Sequence, residues 1–229
     1  NRNALLITAD GGKLVATPKS KANQNCFHTN CQILLRDDGT GNVKAGLNTS
    51  GEYSTPFLLT DKKDDQINYL VNTLGFLQPD DFLITQTDHT GPAYQLEMEI
   101  EKVPAFTAGN KFFLNPRVYK IWKSVLPNTA NRMQDYYFHN PFIKTDTSIY
   151  QLPAGFELEA LPETKELKFE YGSFISKYRY DKNKNQLITT AYLELTQHKI
   201  PAKHYTGTKT FFDNVLAEYD TKIIIIKKD

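Results

Sequence analysis

The sequence predicts a mainly β fold: an antiparallel β-sandwich with one inserted helix and one C-terminal helix. Three observations carry this. Thr147 to Pro162, TSIYQLPAGFELEALP, holds two short runs, Ile149 and Gln151, then Phe156, Leu158 and Ala160, whose members alternate with polar neighbours around Pro153-Ala154-Gly155. Alternation of that kind is the mark of a half-buried strand, and the Pro-Gly step reads as a turn, so the stretch is expected to form one edge-to-core hairpin. Aromatic residues make up 12 % of the chain, with 13 Tyr and 14 Phe against a single Trp, a composition that suits pleated, half-buried surfaces. Helical periodicity is confined to two stretches.

Taken in order, Ala4 to Thr8 and Lys13 to Ala16 flank Asp10-Gly11-Gly12 and read as a hairpin ended by Thr17-Pro18. Lys19 to Asn30 is polar and aperiodic, which suggests a linker and a boundary near residue 20. Cys31 to Arg36 and Val43 to Leu47 form a second hairpin around Asp37 to Asn42; that acidic turn lacks the downstream glutamate and further oxygens of a calcium loop. Between Asp61 and Gly75 the period changes. Ile67, Leu70, Val71 and Leu74 share one helical face, Asp64 and Asp65 sit in the first turn, and Gly75 is placed as a stop.

Phe82 to Thr87 and Tyr94 to Val103 return to strand, with Leu96, Met98 and Ile100 on one face and Gln95, Glu97, Glu99 and Glu101 on the other. Lys111 to Trp122, interrupted by Asn115-Pro116, reads as a bulged strand or a sheet-crossing segment. Leu167 to Glu170, Phe174 to Tyr180 and Leu187 to Thr196 follow as strands, broken at Gly172 and at Asn183 to Asn185. Pro201 opens a helix carrying Phe211, Phe212, Val215, Leu216 and Tyr219 on one face. Ile223 to Ile226 closes the fold as a strand covered on both faces, and Lys227, Lys228 and Asp229 form a charged tail that keeps it soluble.

The totals exclude some functions. A formal net charge of +1 gives no general attraction to nucleic acid, and the longest apolar run, Ile223 to Ile226, is far too short to span a bilayer. Beginning at Asn1 with no charged and apolar leader pattern, the chain reads as a fragment or mature form. Cys26 and Cys31, in NCFHTNC, admit a small-loop disulfide or, with His28, an incomplete zinc set, but unpaired small apolar residues are the default. The histidines, His28, His89, His139, His198 and His204, are scattered with no ligand spacing, so no metal and no cofactor is expected. The glutamates of the Tyr94 strand form a water-facing stripe, and no pair of acids sits in an apolar setting able to raise one pKa. A ligand platform is best sought in RMQDYYFHNPF, at Tyr136, Tyr137, Phe138 and His139, where strand geometry lets Tyr136 share a side with Phe138, or Tyr137 with His139.

The order YQLPAGFELEALPE, FEYGSFISKYRYDKN and TFFDNVLAEYDTKIIII resembles the C-terminal domain of unknown function that follows the transglutaminase-like core in secreted, multi-domain bacterial proteins, some of them provisionally described as cysteine proteases. The resemblance covers residues 21 to 229, and LLITADGGKLVATP is similar to the last strands of that core. It implies two parts, residues 1–20 as terminal strands of an upstream core and 21–229 as a C-terminal β-sandwich. It further implies export to the periplasm or cell surface, and a non-catalytic accessory role beside a core whose Cys, His and Asp lie upstream of Asn1. The core of the same polypeptide would then be the partner; the alternative is a peptide- or glycan-binding module.

Overall fold

A computed structural model describes residues 3–17, 19–54, 62–88, 93–129 and 132–228. Pro18, Asp61, His89 and Asp229, which figure in the expectations above, lie outside the described residues. The strands are β1 (Asn3–Thr8), β2 (Gly11–Ala16), β3 (Cys26–Leu35), β4 (Gly41–Thr49), β5 (Asp81–Asp88), β6 (Ala93–Ile100), β7 (Phe106–Ala108) and β8 (Lys111–Leu114). They continue with β9 (Tyr136–Tyr137), β10 (Phe142–Gln151), β11 (Phe156–Ala160), β12 (Lys165–Phe169), β13 (Gly172–Asp181), β14 (Gln186–Leu195), β15 (Lys199–Ile200) and β16 (Ile223–Lys227). Helix α1 (Lys63–Asn68) precedes β5 and helix α2 (Tyr205–Tyr219) precedes β16.

The fold is mostly β and sandwich-like. Eight strands form one sheet in the order β12-β13-β14-β10-β3-β4-β6-β5, and four form a second in the order β11-β16-β8-β7. Among the described residues, all strand pairings are antiparallel except β10 with β3. The buried faces of both sheets share one apolar cluster with α2 and the segment after β8. Helix α1 winds on as a π-helix over Tyr69–Leu74, with Leu70 and Leu74 buried, and ends where Gly75 takes a left-handed φ of 95°. Among the described residues, no helix is long and apolar enough to cross a membrane.

Three expectations change. Strand β3 begins at Cys26, so most of the supposed linker's second half is sheet; Phe27 and Thr29 are buried there. After β8 the chain leaves the sheet, and residues 115 to 122 cross the molecule as an irregular strap tied to the end of the inserted helix, Lys120 N–H donating to Gly75 at 2.8 Å and Leu77 N–H to Val118 at 2.9 Å. The Thr147 to Pro162 stretch is not a hairpin. Both edges of β10 are occupied, by β14 and β3, so β11 finds no free edge beside it and pairs with β16 in the other sheet.

Pro153-Ala154-Gly155 is therefore a corner between sheets. Gly155 adopts φ 80°, a region open to glycine without steric cost. The Asn185 amide donates to the carbonyls of Pro153 (3.2 Å) and Phe156 (3.1 Å), its Oδ1 accepts from Tyr180 at 2.7 Å, and its own φ is 51°. One side chain from the β13–β14 turn thus fastens the crossing. Replacing it removes three hydrogen bonds and leaves a strained φ, each worth about 1 kcal/mol. Asn185→Ala is expected to lower the unfolding free energy by about 2–4 kcal/mol in urea titrations, whereas Asn183→Ala, two residues earlier in the same turn, stays within about 0.5 kcal/mol.

Candidate functional site

Side chains of β10 that point inward are Phe142, Lys144, Asp146, Ser148 and Tyr150; Asp146, Ser148 and Tyr150 are each no more than 1 % exposed. The alternation read from Ile149 and Gln151 picked the wrong face. Those two point outward, because the core under the middle of β10 is polar.

The polar core is a buried network that leaves one guanidinium nitrogen, the Arg117 Nε, without a partner among the described residues. Arg117, from the strap, is fully buried and pairs through Nη2 with Glu218 of α2, while Nη1 donates to Ser176 at 3.2 Å. Ser176 Oγ donates to Glu218 Oε1 at 2.6 Å, and the Tyr178 hydroxyl donates to the same oxygen. Asp146 accepts from Thr29 at one oxygen and from Ser148 at the other, the latter at 2.8 Å. Burial pushes the Asp146 carboxyl above the usual range; the Arg117 charge and the two hydroxyls work against this. Burial, with the Asp146 charge second, also raises the Cys31 thiol, which lies 3.9 Å from that carboxyl. Two buried acids in an apolar setting do exist, contrary to the reading from sequence; Glu218 pairs with the Arg117 guanidinium, whereas Asp146 is held by the Thr29 and Ser148 hydroxyls and feels the guanidinium only through its charge. Cys26 and Cys31 are both free thiols.

Strap and sheet depend on each other here. The strap's backbone is irregular yet interior, so its carbonyls need donors. Tyr150 donates to Asn115 at 3.1 Å and Thr189 to Pro116 at 2.7 Å.

Beside this network a cavity of about 1120 Å³ opens to solvent, lined by Trp122, Phe138, His139, Phe142, Lys144 and Tyr53 among others. The Trp122 ring stacks on Phe142 at 5.8 Å and packs on Phe212 at 4.3 Å, and its indole donates to the Ser124 carbonyl at 2.7 Å. The Lys144 ammonium lies 5.4 Å from the Tyr53 ring, 5.8 Å from Phe142 and 6.0 Å from Phe27. Burial, and secondarily the Lys123 charge, lowers its pKa to about 8.

The four residues singled out from sequence do not make a platform. Only Tyr136 and Tyr137 are in a strand, paired with Ile200 and Lys199. Tyr136 and Phe138 do share a side, edge to face at 5.0 Å, but Tyr136 packs against Tyr205 at 5.1 Å. Tyr137 points away, 56 % exposed, 6.2 Å from His198. Phe138 and His139 reach the cavity wall. Lys144, Trp122, Tyr53 and Phe142 come from three separate segments and were not singled out; the parity of Lys144 with Phe142 and Tyr150 was the one available signal. Among the described residues, no group of three or more His, Cys, Asp or Glu could hold a metal ion.

The family model described as "Domain of Unknown Function with solved-structure structure (DUF3858)" matches residues 110–225, from the start of β8 into β16. That span carries Arg117, Asp146, Ser176 and Glu218 as well as Trp122 and Lys144. Among curated proteins, none matches the sequence. A solved structure from Parabacteroides distasonis ATCC 8503, provisionally described as a protease, aligns with 11 % identity over 45 % of this chain and 23 % of its own, at a TM-score of 0.37. This chain thus matches about a quarter of the length of that protein. Baculovirus P35 aligns over 89 % of this chain and 96 % of its own with 7 % identity and a TM-score of 0.19.

Truncating the guanidinium leaves the buried Glu218 without its ion-pair partner. Arg117→Met is expected to cost about 3–5 kcal/mol of stability. The raised pKa of Asp146 means that the folded state holds its proton to higher pH than the unfolded state. Its contribution to stability is therefore full below the ordinary carboxylate range and falls as pH rises through its own pKa. Asp146→Asn is expected to abolish that fall; urea midpoints measured from acid to neutral pH check both statements.

Proposed function

The chain belongs to the DUF3858 family of domains of unknown function, and from that premise we propose that it is a non-catalytic accessory domain of an exported transglutaminase-like protein, working in the periplasm or at the cell surface. In this reading residues 21–229 pack on a core of the same polypeptide and shape access to its cleft. The observation that carries it is the β1–β2 hairpin, a two-stranded sheet by itself, whose apolar side chains are bare: Leu5 is 62 % exposed, Leu6 51 %, Ile7 82 % and Leu14 69 %. Isolated hairpins are marginal in water, and leucines on both faces ask for sheet or core on either side. A neighbouring domain to which residues 1–20 contribute the last strands supplies that cover. The sealed state of the polar network supports the non-catalytic part, since its carboxylates are engaged internally and the Cys31 thiol is buried with its pKa raised.

The test uses the full parent protein with and without residues 21–229. Loss of melting temperature or of activity in the core on deletion is the expected result; a core equally stable and active without them sinks the reading.

The open aromatic cavity favours a second reading, a peptide- or glycan-binding module. It is checked by titrating peptides and wall glycans against the fluorescence of Trp122, the single tryptophan of the chain. A dose-dependent change is expected, and an indole indifferent to every ligand and to added quencher would remove this reading.

A further inference from the structure

Lys144 is unusual in what does not neutralise it. Its ammonium faces three aromatic rings between 5.4 and 6.0 Å, and among the described residues no carboxylate lies within ion-pairing distance of it. The acid two residues on, Asp146, is on the same face of β10, but both its oxygens are taken by Thr29 and Ser148. Lys123 stands close enough to repel Lys144 electrostatically, which adds positive charge. Among the described residues that line the cavity, Glu52 is the single acid, and it is exposed. Ring faces hold a cation without discharging it. A half-buried, unpaired ammonium at the wall of an open cavity therefore offers an anion a stronger partner than a surface lysine does, because the local dielectric is lower.

We infer that the cavity binds the free carboxylate of a ligand that carries an aromatic group beside it, with Lys144 as partner of the anion and Trp122 and Phe138 as walls for the ring. This rests on the second reading above and narrows it. A monoanion fits better than a phosphate, since no arginine and no helix N-terminus is among the described residues that line the site and Lys acts as a point charge. The cavity of about 1120 Å³ exceeds what a single small acid fills, and Thr73 and Asn140 on its wall can bond to peptide groups. The fit is to the C-terminal end of a peptide that finishes in an aromatic residue; a small aromatic acid shares the same chemistry.

Two acids, N-acetyl-L-phenylalanine and an octapeptide ending in Phe with a free carboxylate, are titrated against their C-terminal amides, read by Trp122 fluorescence and by calorimetry. The expected result is binding of an acid at least tenfold tighter than its amide, with the difference lost in Lys144→Met and kept in Lys144→Arg. Tighter binding of the octapeptide identifies a peptide end as the source, and equal binding of both acids identifies the small acid. To guard against misfolding of the variants, reductive methylation of the wild-type protein is followed by mass spectrometry, where the acid but not the amide is expected to protect Lys144. Equal binding of acid and amide overturns the carboxylate inference while leaving a binding module. Absence of binding and of protection overturns it, and if wall glycans bind instead, the module stands with a different ligand.

Discussion

An irregular strap buried across the face of a large sheet is the constraint on which the rest of this molecule depends. Residues 115 to 122 form no continuous ladder where they lie, so the interior polar groups that the backbone at Gly75 and Leu77 does not meet must be met by side chains. Tyr150 and Thr189 meet two carbonyls, and the Arg117 guanidinium is met by Glu218 and Ser176. A buried ion pair adds little net stability over an apolar substitute, because desolvation offsets its attraction. What it does here is positional: α2, the strap and three strands of the large sheet are held in the arrangement that brings these partners together, with the Arg117 Nε left without one among the described residues. The same strap carries Trp122 to the cavity wall.

One strand joins the closed chemistry to the open one. Along the inner face of β10, Phe142 and Lys144 line the cavity, while Asp146 and Ser148 lie in the sealed network. The two environments treat charge differently. Both oxygens of Asp146 accept from neighbouring hydroxyls, so the carboxyl has no further partner to seek. Lys144, two residues away, is surrounded by rings, which leave its charge directed outward.

Much of the fold was legible in the sequence. The hairpins around Gly11 and Gly39, the inserted helix with its stop at Gly75, the alternating face of β6 and the helix after Pro201 all follow from period and turn chemistry. The errors cluster at β10. Apolar parity there names Ile149, which faces out, because the inward positions hold Asp146 and Ser148, and the Thr29 hydroxyl that meets Asp146 comes from β3, 117 residues away in the chain. Likewise a Pro-Gly step signals a turn but not which sheet the next strand will join, since that depends on occupied edges contributed by β3 and β14. The site was legible only in part: Phe138 and His139 belong to an aromatic run, whereas Tyr53, Trp122 and Lys144 meet only in three dimensions.

The single parallel pairing, β3 with β10, has a consequence for how the protein is made. His28 and Thr145, neighbours across that ladder, are 117 residues apart in the chain. As the chain leaves the ribosome, β3, β4, β6 and β5 can assemble before β10 is made, since all four lie within residues 26–100. The open edge of β3, with its row of unpaired amides and carbonyls, must then wait until β10 has been synthesised. Half of the large sheet thus passes part of its early life as an exposed template for other strands, and the cell compartment that folds it has to keep such strands away until residue 151 arrives.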